Sequence, residues 1–239
     1  MLEPILVPVG TIILVILLMR GIHTQLFTQR LKFFYSNAAA WLFLYFSAWA
    51  IVLGFLFPTH VWQLFSGVSV IGYILLVFLF VVLFPFIFHI LRTKTEKQEW
   101  LANMYPDEPL LSPEEQFILG KTGDVIAQDF AVGILILLLA GAGVSYPVIV
   151  GIFVVLFALA HVYIFATSGF FWGLYYVTYA LLAGFVFPFF VLFTSGGIAY
   201  VMVVHMLFYV VSAALFAKLP RPSKAVSKHI LGRHTHHES

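Results

Sequence analysis

An all-α, polytopic membrane helix bundle of about seven transmembrane helices is the fold class this sequence predicts, and three observations carry it. Hydrophobic residues fill 62% of the 239 positions and charged residues only 9%, too few to cover a water-soluble surface. The apolar residues gather in stretches that mostly reach the ~20 positions needed to cross a bilayer as helix. None of these stretches alternates polar with apolar at a period of two, which argues against a transmembrane β-barrel. The chain has no cysteine, so disulfides, thiolate metal sites and cysteine nucleophiles are excluded. A net charge of +2 is too small to imply nucleic acid, and the partner expected from composition is the lipid bilayer.

The first apolar stretch, residues 4–19, has the length of a signal sequence. Glu3 nevertheless stands where a basic region would, and Arg20-Gly21-Ile22-His23 follows in place of a small-residue cleavage site, so an uncleaved first helix is expected. Arg20, Arg30 and Lys32 flank a mixed segment, residues 24–35, that would lie along the membrane interface. A second span covers 38–57 and stops at Pro58-Thr59-His60; a third, 61–91, is long enough to tilt and closes on Arg92, Lys94 and Lys97. Residues 93–116 form the one sizeable polar loop and hold most of the acidic residues. At its end Ser112-Pro113-Glu114-Glu115 reads as an N-cap, a proline at the first helical position and a capping glutamate, so a helix should start there. It leads into a fourth span, 117–140, where Gly120 and Gly123 allow close packing. Spans at 146–167, 170–193 and 197–217 follow through very short connections, and Gly169-Phe-Phe-Trp-Gly173 has the small-xxx-small spacing of packed helices. The tail from Lys218 is basic and histidine-rich, suited to anionic lipid and to adventitious metal binding. Three regions result: 1–111 with three helices and the loop, 112–217 with four helices, and the tail 218–239.

Charge sets the expected orientation. All twelve Lys and Arg residues fall between spans one and two, between spans three and four with Lys121 at the entrance to the fourth, or in the tail. The alternate connections at 58–60, 141–145 and 194–196 carry none. The positive-inside rule then places the N-terminus outside and the C-terminus in the cytoplasm, in the cell membrane.

Polar residues inside such spans are functional candidates, because each needs a partner where water is absent. His161, set four residues after Phe157, is one, and two further pairs share its i, i+4 spacing: Asp124 with Gln128, and His205 with Tyr209. With the orientation above, all three fall in the cytoplasmic half of the membrane. An aspartate and two histidines could activate water, or hold a divalent metal, with Gln128 and Tyr209 orienting the site or stabilising an oxyanion. Asp129 lies deeper and ~100° around the helix from Gln128, where His89 is a possible partner or where it could itself be the site carboxylate. Each residue also has a plainer explanation. His161 could bond between helices, Asp124 could snorkel toward Lys121, and Tyr209 could simply pack.

The order and spacing of these residues resemble the CAAX protease and bacteriocin-processing family of intramembrane endopeptidases. That family carries two adjacent glutamates with an arginine four residues after the second, then Phe-x-x-x-His, then His with an amide or carboxylate four residues on. Phe157-Ala-Leu-Ala-His161 matches the second motif, and His205-Met-Leu-Phe-Tyr209 matches the histidine of the third. In the first motif Gly123 and Asp124 stand at the glutamates and Gln128 at the arginine. The resemblance covers residues 112–217. It implies an intramembrane endopeptidase with Asp124 and His161 activating water, His205 stabilising the oxyanion, and a membrane-tethered peptide or protein as substrate, or else a member that has lost proteolysis. No cofactor is required by this reading, although a divalent metal would suit the same side chains. Two other functions are open: a non-catalytic scaffold or partner-binding membrane subunit, and a metal or proton transporter using the same Asp and His residues.

Overall fold

An apolar chain without water around it must satisfy its own backbone, and the described part of this protein does so as helix. The computed structural model describes residues 3–33, 38–69, 71–72, 74, 78, 113–168 and 170–218. Among them there are seven α-helices and no strand: α1 (Glu3–Ile22), α2 (Ala39–Leu56), α3 (Pro58–Phe65), α4 (Pro113–Gly141), α5 (Tyr146–Ser168), α6 (Phe170–Phe193) and α7 (Gly197–Lys218). Four segments are long and apolar enough to cross a membrane: Ile5–Arg30, Ala39–Leu56, Phe117–Gly141 and Gly173–Phe193. Tyr146–Val162 and Gly197–Ser212 are shorter apolar helices. Large apolar side chains face outward, Phe55 at 82% and Trp62 at 77% exposure among them, which is the surface a hydrocarbon solvent stabilises and water does not. The protein is a helical membrane protein.

The fourth helix is the axis of the fold. Half of its membrane-length window is buried, against 28% for α2 and 22% for the α1 and α6 windows, so polar groups on α4 are the most shielded. It packs against α1, α2, α3, α6 and α7, while α5 lies chiefly along α6. One core joins Ile12 of α1, Leu53 of α2, Leu64 of α3, Ile134 of α4, Phe153 of α5 and Met206 of α7. Two glycines set the closest approaches. A Cβ on Gly123 would lie 2.8 Å from the backbone of Phe43, so α2 and α4 touch there nearly main chain to main chain. A Cβ on Gly184 would lie 2.6 Å from the Cα of Val154, which fixes α6 against α5 in the same way.

The start of α4 at Pro113 agrees with the expected capping signal, although Ser112 itself lies outside the described residues. The helices at 146–168, 170–193 and 197–218 agree with the last three expected spans to within one residue. Two elements differ. The first helix does not stop at Met19 before a separate interfacial segment. It runs through Ile22 into a π-helical stretch, His23–Arg30, where the Leu31 N–H donates to the Leu26 carbonyl five residues back at 2.9 Å. Nor does the third span begin as one continuous helix at Val61. Pro58 starts α3 at its first turn, and the chain then turns at Ser66–Gly67, with Gly67 at φ +86°. The Ser66 carbonyl accepts a 2.9 Å hydrogen bond from the Gly196 N–H, which ties this turn to the turn between α6 and α7. The remainder of that expected span, with His89, the acidic loop and the tail beyond Lys218, lies outside the described residues.

Candidate functional site

Two faces of α4 supply the polar centre, one with Lys121, Asp124 and Gln128 and the other with Asp129. Asp124 is fully buried, and both of its carboxylate oxygens are engaged. Oδ1 accepts from Arg20 Nη2 at 2.6 Å and from Gln128 Nε2 at 2.7 Å, while Oδ2 accepts from Lys121 Nζ at 2.9 Å. Arg20 reaches this position from the end of α1. Its guanidinium also lies 5.5 Å from the centroid of the Phe46 ring, so an aromatic face of α2 holds the other side of the cation. The side chains of Arg20 and Lys121 are 37% and 16% exposed, so two cations neutralise a carboxylate more deeply buried than either.

Lys121 links this clamp to α7. Its ammonium sits 5.0 Å above the centroid of the Tyr209 ring, and that ring stacks on the imidazole of His205 with centroids 5.3 Å apart and planes 25° from parallel. His205 Nδ1 is 2.9 Å from Oδ1 of Asp129, which is 1% exposed on the α7-facing side of α4. With the carboxylate ionised, Nδ1–H is the donor. Oδ2 of Asp129 is buried and has no hydrogen-bond partner among the described residues.

His161 is half-buried on α5, and its Nδ1–H donates to the Phe157 carbonyl at 2.8 Å on its own helix. Because a carbonyl can only accept, this bond places a proton on Nδ1. His161 lies close enough to His205, Lys121 and Arg20 to feel their charges, yet it hydrogen-bonds none of them.

The expected site residues thus separate into connected parts. Asp124 and Gln128 meet directly, and His205 and Tyr209 meet through their rings, as their i, i+4 spacing anticipates. Neither His161 nor His205 hydrogen-bonds Asp124, whose oxygens face Arg20, Lys121 and Gln128 instead. The carboxylate that holds His205 is Asp129. Sequence spacing alone passed over Arg20, which reads there as a flanking interfacial charge. Gln128 donates to Asp124 from one turn along α4, and α1 brings a guanidinium to the same carboxylate. Gly123 also acquires a reason, since any side chain there would enter the backbone of α2. Among the described residues no group of three or more His, Cys, Asp or Glu is placed to hold a metal ion.

Comparison of the chain with protein-family models, with curated proteins and with solved structures found no match.

Proposed function

We propose that this chain is a membrane protein with the helix order of the CAAX-protease-like proteins that binds a membrane-tethered peptide or protein partner without cleaving it. One observation carries the reading: Asp124, the residue at the hydrolytic carboxylate position, has its oxygens taken by Arg20, Lys121 and Gln128. A general base needs a lone pair within reach of a water, and this carboxylate instead accepts three hydrogen bonds, two of them from cations. Gly123 adds to this, because the second carboxylate of such a motif has no room against Phe43. His161 spends its Nδ1–H on its own helix, which orients it for contact with a bound partner or for packing.

In this reading the chain crosses the cell membrane seven times, with the N-terminus outside and the C-terminus in the cytoplasm. The support is the placement of all twelve Lys and Arg residues in alternate connections. The test is a cleavage assay with the purified full chain in lipid nanodiscs and a library of membrane-tethered peptides. The expected result is no turnover, together with saturable retention of a subset of the peptides. Turnover lost on both His161→Ala and Asp124→Asn, in variants that keep the wild-type melting profile, would overturn the proposal.

A further inference from the structure

Asp129 is the polar group that neither the charge clamp nor the family motifs account for. It is 1% exposed on the most buried helix, one oxygen is bonded to His205 Nδ1 at 2.9 Å, and the other has no partner among the described residues. A buried acceptor left unbonded is costly, and a carboxylate beside a neutral imidazole adds an unshared negative charge to that cost. A proton taken up by the pair relieves the charge wherever it settles, as imidazolium facing carboxylate or as neutral acid facing imidazole.

We propose that Asp129 and His205 together form an intramembrane proton-binding site that alternates between a singly negative and a neutral state. The step is a proton transfer from hydronium, which leaves as water. Of the two side chains His205 is the more exposed, at 15% against 1% for Asp129. Two cations, Arg20 and Lys121, lie beside Asp124, and the Tyr209 ring contacts both Lys121 and His205. The titratable and charged groups acting on the pair are Asp124 from α4, His161 from α5 and Tyr209 from α7; Arg20 from α1 and Lys121 from α4 act in turn on His161 and Tyr209, and the Tyr179 hydroxyl of α6 donates to the Val204 carbonyl. Tyr45 of α2 donates to the Met19 carbonyl, and His60 of α3 packs on Phe57. An ionisable pair shielded in this way within a membrane bundle is an arrangement suited to proton-coupled function.

The inference rests on the helices crossing a bilayer and is independent of whether the protein cleaves or binds peptides. The experiment is proton uptake by the purified full chain in nanodiscs between about pH 8 and pH 5, the range in which imidazole sites exchange protons, read with a pH dye. The D129N/H205Q double variant should take up one proton fewer per chain than the wild type. The D129N and H205Q single variants should each retain that proton but shift its midpoint by about one pH unit or more, which reports the coupling between the two groups. Equal uptake by wild type and double variant would overturn the proposal, and so would single variants whose midpoints do not move. If the double variant fails to fold, the wild type labelled with nitrogen-15 histidine answers the same question. A His205 resonance that is constant over the range, with no proton-dependent change at Asp129 in the infrared carboxyl region, would also overturn it.

Discussion

At the scale of single residues the decisive fact is that Asp124 is held by charge. Breaking a buried ion pair from one side typically costs about 3–5 kcal/mol, and because the Arg20 side chain is 37% exposed, solvent recovers part of this. Arg20→Met should therefore lower stability by about 1–3 kcal/mol, read as thermal unfolding in detergent or nanodiscs. In the Arg20→Met background Asp124→Asn should cost less than it does alone, because the pairing with Arg20 is already lost while Lys121 still holds the carboxylate. Effects of the two changes that simply add would show that the pair contributes nothing. Tyr209 makes a finer prediction. Its ring carries the contacts to Lys121 and His205, so Tyr209→Phe should be within about 0.5 kcal/mol of wild type, whereas Tyr209→Leu should cost roughly 0.5–2 kcal/mol through the lost cation–π contact and stack.

At the scale of elements, close approach between helices controls what each position can become. Gly123 is the point where α4 meets the main chain of α2, so Gly123→Ala should destabilise by about 1–3 kcal/mol, since the clashing atoms are backbone and cannot rotate away. Gly151 on α5 has nothing within 4 Å of its would-be Cβ. Gly151→Ala should be neutral or stabilising, by up to about 1 kcal/mol, because alanine loses less backbone freedom in a helix. Melting temperatures of the two variants side by side check both statements, and equal behaviour would refute the packing account. Gly123→Glu should be worse than Gly123→Ala, because its larger side chain meets the same backbone of Phe43, and by the proposed reading it should create no peptidase activity in the cleavage assay. The same helices show which boundaries can be read in advance. Pro113, Pro58 and Gly197 mark helix starts in the described chain, and the first and third are legible in the sequence. Pro58 reads there as a connection, because a proline after an apolar run signals a stop as readily as a first helical turn. The turn at Ser66–Gly67 was hidden because the apolar run continues through it, and hydropathy does not register a change of direction.

At the scale of the whole molecule the count of crossings is the open structural quantity that experiment can decide. Seven crossings put a reporter fused after Ser239 in the cytoplasm and a tag before Met1 outside. Both ends mapping to the same side would make the count even and overturn the seven-span topology. The helical membrane class was legible from composition and run length alone, because in lipid each helix satisfies its backbone within its own segment, with no need of a distant partner. Residues sharing a helix face were legible for the same reason: Asp124 with Gln128, and His205 with Tyr209, are set by the local geometry of one helix. The partners of the carboxylates on other helices were not. Arg20 lies 104 residues from Asp124, and His205 lies 76 from Asp129. Which face of α1 or α7 turns toward α4 depends on how side chains interlock across the bundle, and very weak amphipathic patterns on these apolar helices leave no trace of that rotation in the sequence. The sequence by itself determined that this chain is helical and membrane-embedded and where α4 to α7 begin and end. Only the tertiary structure decided that Asp124 is a clamped counter-ion and that Asp129 is the carboxylate facing His205, because a side chain's neighbours across a bundle follow from helix rotation and contact.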